Sequence, residues 1–172
     1  MTGRPSVSKT RGIVFISALV LVMIFSISLL MARAFWEREI ERDMEGELIY
    51  RARHLVRGIE AYHKRYRRYP DSLEVLHKER LIRKLYPEPV SESRRWNYVM
   101  IPKRAGRQVL TVVPADLLPR YTETHNLIGV CSSAVGESYR EYRQVKYYYK
   151  WAFYVGAKEN EEMPDLRFIS TL

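Results

Sequence analysis

The stretch IVFISALVLVMIFSISLLMA, Ile13 to Ala32, constrains this chain more than any other. It is twenty residues without a charge, thirteen of them Leu, Ile, Val or Phe. At about −0.3 to −0.6 kcal/mol per such residue, insertion into a bilayer gains roughly 4–8 kcal/mol. Twenty helical residues at about 1.5 Å each match the roughly 30 Å hydrocarbon core. The stretch predicts a membrane-spanning helix.

Charge around that span predicts its orientation. The leader Met1–Gly12 carries Arg4, Lys9 and Arg11 and no acid. Beyond the span, Glu37, Glu39, Glu41, Asp43, Glu45 and Glu47 outnumber Arg38 and Arg42. The asymmetry places the short N-terminus in the cytoplasm and the C-terminal part outside it. A competing reading takes Ala32-Arg33-Ala34 as the small-x-small site of secretory cleavage. The apolar run is longer than the roughly 7–15 residues of a signal h-region, which favours the anchor. Cys131 is the chain's one cysteine, so no internal disulfide is available and the outer domain depends on its core. A buried cysteine is the favoured role over a reactive one.

The helical pattern does not stop at the membrane. Apolar or aromatic residues recur at Trp36, Ile40, Met44, Leu48, Ala52, Leu55, Ile59, Tyr62 and Tyr66, steps of three and four that mark one face of a helix. No proline falls between Pro5 and Pro70. The first half of the extension is acidic with a thin stripe, and Gly46 is a candidate weak point or bend. Ile49 and Val56 widen the stripe in the second half. The helix should end at Pro70, which pushes Tyr69 out of helical geometry. Asp71 or Ser72 can cap a following helix, with Asp71 and Glu74 at capping-box spacing, and Leu73 and Leu76 should face the core.

Three features together carry a resemblance: Lys9-Thr10-Arg11-Gly12-Ile13-Val14-Phe15, the unbroken helix after it, and the passage Glu60 to Leu76 with Tyr62, Tyr66 and Tyr69-Pro70 before Leu73 and Leu76. The chain resembles the type IV pilin and type II secretion pseudopilin superfamily. The resemblance implies a prepilin peptidase cut between Gly12 and Ile13, and assembly of the Ile13–Ala32 helix against sister helices. It departs at Ser17, where the family usually carries a glutamate five residues after the cut. There the carboxylate is taken to meet a neighbouring subunit's N-terminal amine. Ser17 cannot supply that charge, which implies a minor or tip subunit, or an anchored relative that never polymerises.

The organisation expected is a leader over 1–12, a transmembrane helix over 13–32, a continuation of the long helix over 33–69 and a globular part over 70–172. A short helix is expected in Val75–Leu85, and strands at Trp96–Ile101, Gln108–Val113, Leu127–Ser133 and Trp151–Gly156. A compact turn should join the first two over Lys103–Arg107. Asp116–Asn126 reads as loop with a helical turn at Asp116–Leu118. The segments Ser138–Tyr142 and Gln144–Tyr149 read as an aromatic, basic excursion, and Arg167–Ser170 as a short edge strand. The fold class is α+β: a pilin-like long N-terminal helix packed on a small antiparallel sheet.

Sites of chemistry are scarce. His54, His63, His77 and His125 lack metal-ligand spacing, and no P-loop, dinucleotide or nucleophile-elbow motif occurs. Glu159, Glu161, Glu162 and Asp165 form an acidic tail loop that could hold calcium, although their spacing is not that of an EF-hand and a solvated loop is favoured. No catalytic residue, metal or cofactor is expected. Arg51 to Lys84 holds eleven Lys or Arg against four acids. Within it, Arg65, Arg67 and Arg68 interleave with Tyr66 and Tyr69 as a possible polyanion contact; nucleic-acid binding is expected to be weak and salt-dependent. The functional expectation is a membrane-anchored structural subunit, in a bacterial inner membrane with its C-terminal domain periplasmic. Its partners would be other pilin or pseudopilin subunits, the prepilin peptidase and the inner-membrane assembly platform. The alternative is a solitary anchored binding module.

Overall fold

The computed structural model describes residues 7–104, 109–158 and 160–169, and the side chains among them except those of 7–11, 34–35 and 37–38. Helix α1 runs unbroken over Val7–Tyr66. The chain divides into two compact units, Met1–Glu41 and Arg42–Leu172.

In the first unit, α1 is long and apolar enough over Gly12–Arg33 to cross a membrane. Its large side chains, from Ile13 to Met31, are exposed. The serines within the run satisfy themselves locally. Ser17 Oγ donates to the Val14 carbonyl at 2.9 Å, and Ser26 and Ser28 to the carbonyls of Val22 and Ile24 at 2.8 and 2.9 Å. Such back-bonding lets a hydroxyl sit in an apolar helix without an outside partner. Trp36 and Ile40 are exposed, at 68% and 55%.

In the second unit the stripe becomes core. Leu48, Ala52, Leu55, Ile59 and Tyr62 are buried, and each buried Leu or Ile contributes about 1.5–3 kcal/mol. Along α1, burial begins at Met44, half-buried, and Glu45, fully buried, while Trp36 and Ile40 of the stripe are exposed. Gly46 does not interrupt α1, and a Cβ there would meet nothing within 4 Å. Gly58 differs: α1 comes close to the segment after α2 (Leu73–Lys78), so an added Cβ would lie 2.5 Å from Ile82 Cγ2. Leu73 and Leu76 do face the core. Ser72 takes the N-cap position without a side-chain capping bond, so the expected capping box is absent.

The main sheet has five strands in the order β6-β3-β1-β2-β7. They are β1 (Asn97–Pro102), β2 (Leu110–Val113), β3 (His125–Cys131), β6 (Ala152–Tyr154) and β7 (Leu166–Phe168). Three of its four pairings are antiparallel; β7 pairs parallel with β2. The sheet is thus mixed and mostly antiparallel, not wholly antiparallel as expected. Parallel pairing is open to β7 because a long excursion, through β3 to β6, separates it from β2. A separate hairpin joins β4 (Glu137–Tyr142) to β5 (Val145–Tyr147), which resolves the aromatic excursion. Between β2 and β3 lie a 3₁₀ turn, Ala115–Leu117, and the short α3, Leu118–Tyr121, where loop with one turn was expected. The expected turn beyond Arg104, the start of the second strand at Gln108, and Ser170 lie outside the described residues.

Alternation along the strands sorts their residues to two faces. Tyr98, Met100, Val113, Leu127, Val130 and Phe153 join the core that contains the α1 stripe. Val99, Val112, Ile128, Cys131 and Ala152 form a second cluster, with Met163 and Leu166 packed against it. Pairing of β1 with β3 slips between Val99↔Gly129 and Met100↔Leu127, leaving Ile128 as the extra residue of a bulge. Just there β6 passes close: a Cβ on Gly129 would lie 2.0 Å from the Phe153 carbonyl oxygen.

Candidate functional site

The assembly positions lie on the exposed helix. Gly12, Ile13 and Ser17 all belong to α1, with their side-chain positions open. A Cβ on Gly12 would meet nothing within 4 Å.

The basic run is divided by the end of α1. Arg67 leaves the helix at φ +55°, while its N–H still donates to the His63 carbonyl at 2.9 Å. This is the left-handed stop usually filled by glycine. Arg65 stays on the helix, its guanidinium 5.3 Å from the centre of the Tyr66 ring. Arg67 and Arg68 instead line a recess of about 430 Å³ with Lys103, His125 and Asn126. The three arginines grouped by sequence are therefore split: two enter the recess and Arg65 does not line it.

Strand pairing assembles the rest of the recess. Pro102 opposes His125 where β1 ends and β3 begins. That register sets Lys103, just past β1, beside the start of β3, and Lys103 Nζ donates to the Thr122 carbonyl. His125 Nδ1 lies 2.8 Å from Thr124 Oγ1, its ring 5.5 Å from that of Tyr121. Burial holds the His125 pKa below the usual imidazole range. His63 stacks on Tyr69 with centroids 4.2 Å apart and planes 11° from parallel, and its buried Nδ1 has no hydrogen-bond partner among the described residues. Tyr69, Pro70 and Asp71 complete the lining.

The acidic tail is organised from within the chain. Arg143, itself buried, donates from Nε to the Glu161 carbonyl at 2.7 Å and from Nη2 to the Glu162 carbonyl at 2.9 Å. Lys158 Nζ holds the Glu161 carboxylate at 2.8 Å, which lowers the glutamate's pKa. Glu159 lies outside the described residues. Among the described residues, no group of three His, Cys, Asp or Glu is placed to hold a metal ion.

Two buried carboxylates escaped the sequence reading. Glu45, on α1, accepts from the Tyr139 and Arg140 N–H groups of β4 and from the Tyr148 hydroxyl. Glu88 accepts from the Val90 and Ser91 N–H groups and from Ser132 Oγ. Both tie distant segments together. A signal for Glu45 exists only in hindsight, since it lies one residue from the Met44–Leu48 stripe.

No family model, no curated protein and no solved structure matches this chain.

Proposed function

We propose that the chain is a pilin-like, membrane-anchored structural subunit, a minor or tip member of a type II secretion or type IV pilus assembly machine. The observation that carries the reading is the continuity of α1: one helix supplies the apolar Gly12–Arg33 segment and, from Leu48 to Tyr62, core residues shared with a mostly antiparallel sheet. A helix built for anchoring alone has no need to continue as core. In this reading the N-terminus is cytoplasmic, the sheet domain is periplasmic, and a prepilin peptidase cuts between Gly12 and Ile13. Sister subunits and the inner-membrane assembly platform are its partners.

Sequencing the N-terminus of the chain from membranes tests the reading. The mature protein should begin at Ile13, and Gly12→Glu should leave it uncut. An N-terminus at Phe35 would make it a secreted protein, and an intact Met1 a plain anchor.

One observation favours the second reading, a solitary anchored binding module. The Ser17 hydroxyl is satisfied inside its own helix, so nothing at that position requires a sister subunit. Cross-linking from positions 13–32 separates the two: a subunit captures sister helices, and a solitary module does not.

A further inference from the structure

The cationic recess beyond α1 shares no residue with the assembly positions and stands apart from that proposed role. We propose that it is a binding site for a tetrahedral oxyanion group, the phosphate or sulfate of a small molecule, held by Arg67, Arg68 and Lys103 with His63, His125 and Asn126 around them. The three permanent cations come from two segments distant in sequence and converge on one recess of about 430 Å³. That volume falls within the roughly 300–1,000 Å³ of small-molecule sites. It exceeds what a lone phosphate fills, leaving room for an organic remainder against Tyr69 and Pro70.

Charge decides the sign of the ligand. Against the three cations stand the exposed Asp71 and the partial negative charge, about half a unit, at the C-terminus of α1. The balance is positive before either histidine gains a proton, and no described carboxylate forms an ion pair with Arg67, Arg68 or Lys103. Guanidinium pairs suit the planar faces of phosphate and sulfate oxygens. His63 belongs to a wall of the recess, its ring stacked on Tyr69. Arg65 lies over Tyr66 and does not extend the cationic lining, which favours a discrete group over a strand tracked along the helix.

Protonation supplies a second handle. The groups around the recess are His63, Arg67, Arg68, Asp71 and Lys103, with Tyr121 and Thr124 against His125. With its pKa held low by burial, His125 is neutral near pH 7. An anion favours the imidazolium, so binding takes up a proton and strengthens as pH falls.

The test uses the full chain in detergent micelles at low chloride, titrated calorimetrically with inorganic phosphate and with sulfate. Saturable one-to-one binding with a Kd of about 1 mM or tighter is expected. The pair Arg67→Asn and Arg68→Gln should weaken it at least about tenfold, while Arg83→Gln, outside the recess, leaves it unchanged. Phosphate should also protect Arg67 and Arg68 of the unaltered chain from phenylglyoxal, a readout that needs no variant. Sulfate, whose charge is fixed across this range, should bind more tightly at about pH 5.5 than at about pH 7.5. No saturation by about 10 mM, or equal weakening by Arg83→Gln, overturns the proposal. So does an oligonucleotide without terminal phosphate that binds more than about tenfold tighter than phosphate and depends on Arg65, since that is an extended polyanion track. A pH-independent sulfate affinity removes His125 from the site and overturns that part.

Discussion

The Tyr148 hydroxyl donates to Glu45 Oε1 at 2.8 Å, joining positions 103 residues apart in the chain. The same carboxylate oxygen takes the Tyr139 N–H at 2.6 Å, and Oε2 takes the Arg140 N–H at 3.2 Å. Both oxygens act only as acceptors, the bonding pattern of a carboxylate. Glu45 is fully buried. Glu45 thus ties the β4–β5 hairpin to α1, beside Arg42 over the Tyr139 ring at 5.7 Å and the packing of Tyr142 and Val145 on the core.

Removing that side chain should cost more than removing its hydroxyl partner. Tyr148→Phe deletes one bond to a carboxylate, a loss of about 1.5–3 kcal/mol. Glu45→Ala also strands two backbone N–H groups, so its cost should exceed that of Tyr148→Phe by a further 1–3 kcal/mol or so. Urea unfolding of the single and double variants measures both, and the double variant should lie well below the sum. Strict additivity would show that the two groups do not act through one bond.

What the sequence shows of this molecule follows how local each cause is. The stripe from Leu48 to Tyr62 is a periodic signal within one helix and lies where the spacing predicts; the stop does not, because Arg67 turns left-handed and ends α1 at Tyr66, ahead of Tyr69-Pro70. Nor does the start of β3, because His125 and Asn126 are polar and only half-buried, and what makes them strand is pairing with Ile101 and Pro102. The parallel seat of β7 likewise depends on a partner more than fifty residues away. The recess combines both kinds: Arg67 and Arg68 stand out in the sequence, while Lys103 and His125 join them only through that register. Glu45 reads as one more acid in the run from Glu37 to Glu47 until the hairpin covers it.

Glycine replacements should sort by what stands beside each one. Gly129→Ala drives a Cβ onto the backbone of β6, which cannot yield as a side-chain end can; a loss at or above the 1–3 kcal/mol or so of overpacking is expected. Gly58→Ala meets Ile82 Cγ2, the branch methyl of a buried side chain that is stiff at χ1, so the crowding should outweigh the helix-propensity gain of about 1 kcal/mol, though by less than at Gly129. Gly46→Ala meets open space in an intact helix and should stabilise by about 0.5–1 kcal/mol. Thermal unfolding checks the order; a harmless Gly129→Ala would show that β6 is not held that close.

Cys131 should be inert in the folded chain. It is fully buried, donates to the Tyr149 carbonyl at 3.1 Å, and burial pushes its thiol far above the ordinary range. A thiol reagent at about pH 8 should label it only on unfolding. The sign for stability follows. The unfolded thiol loses its proton first, so the unfolded state binds fewer protons above about pH 8.5, and this group's contribution to stability falls as pH rises further. Cys131→Ala should remove that part of the alkaline decline; rapid native labelling would show the site to be open.

Ser17 bears on where a pilin-like subunit could sit. An interior subunit of such a filament is expected to offer a carboxylate to its neighbour's amine, and here the hydroxyl is already engaged with the Val14 carbonyl. A tip subunit has no neighbour ahead whose amine needs neutralising, so the serine costs it nothing. The chain is therefore expected at low copy, at a tip or in an initiating complex. Overexpression with its peptidase and assembly machinery, followed by shearing and electron microscopy, should yield no long filaments of this chain alone. Long homopolymers would sink the idea. Ser17→Glu sharpens the test, because a carboxylate at membrane depth costs about 2.5–3.5 kcal/mol unless it finds a partner. A tip subunit should therefore incorporate less well when it carries the glutamate. If incorporation along the filament instead improved, the interior would be open to this chain and the serine would be what keeps it out.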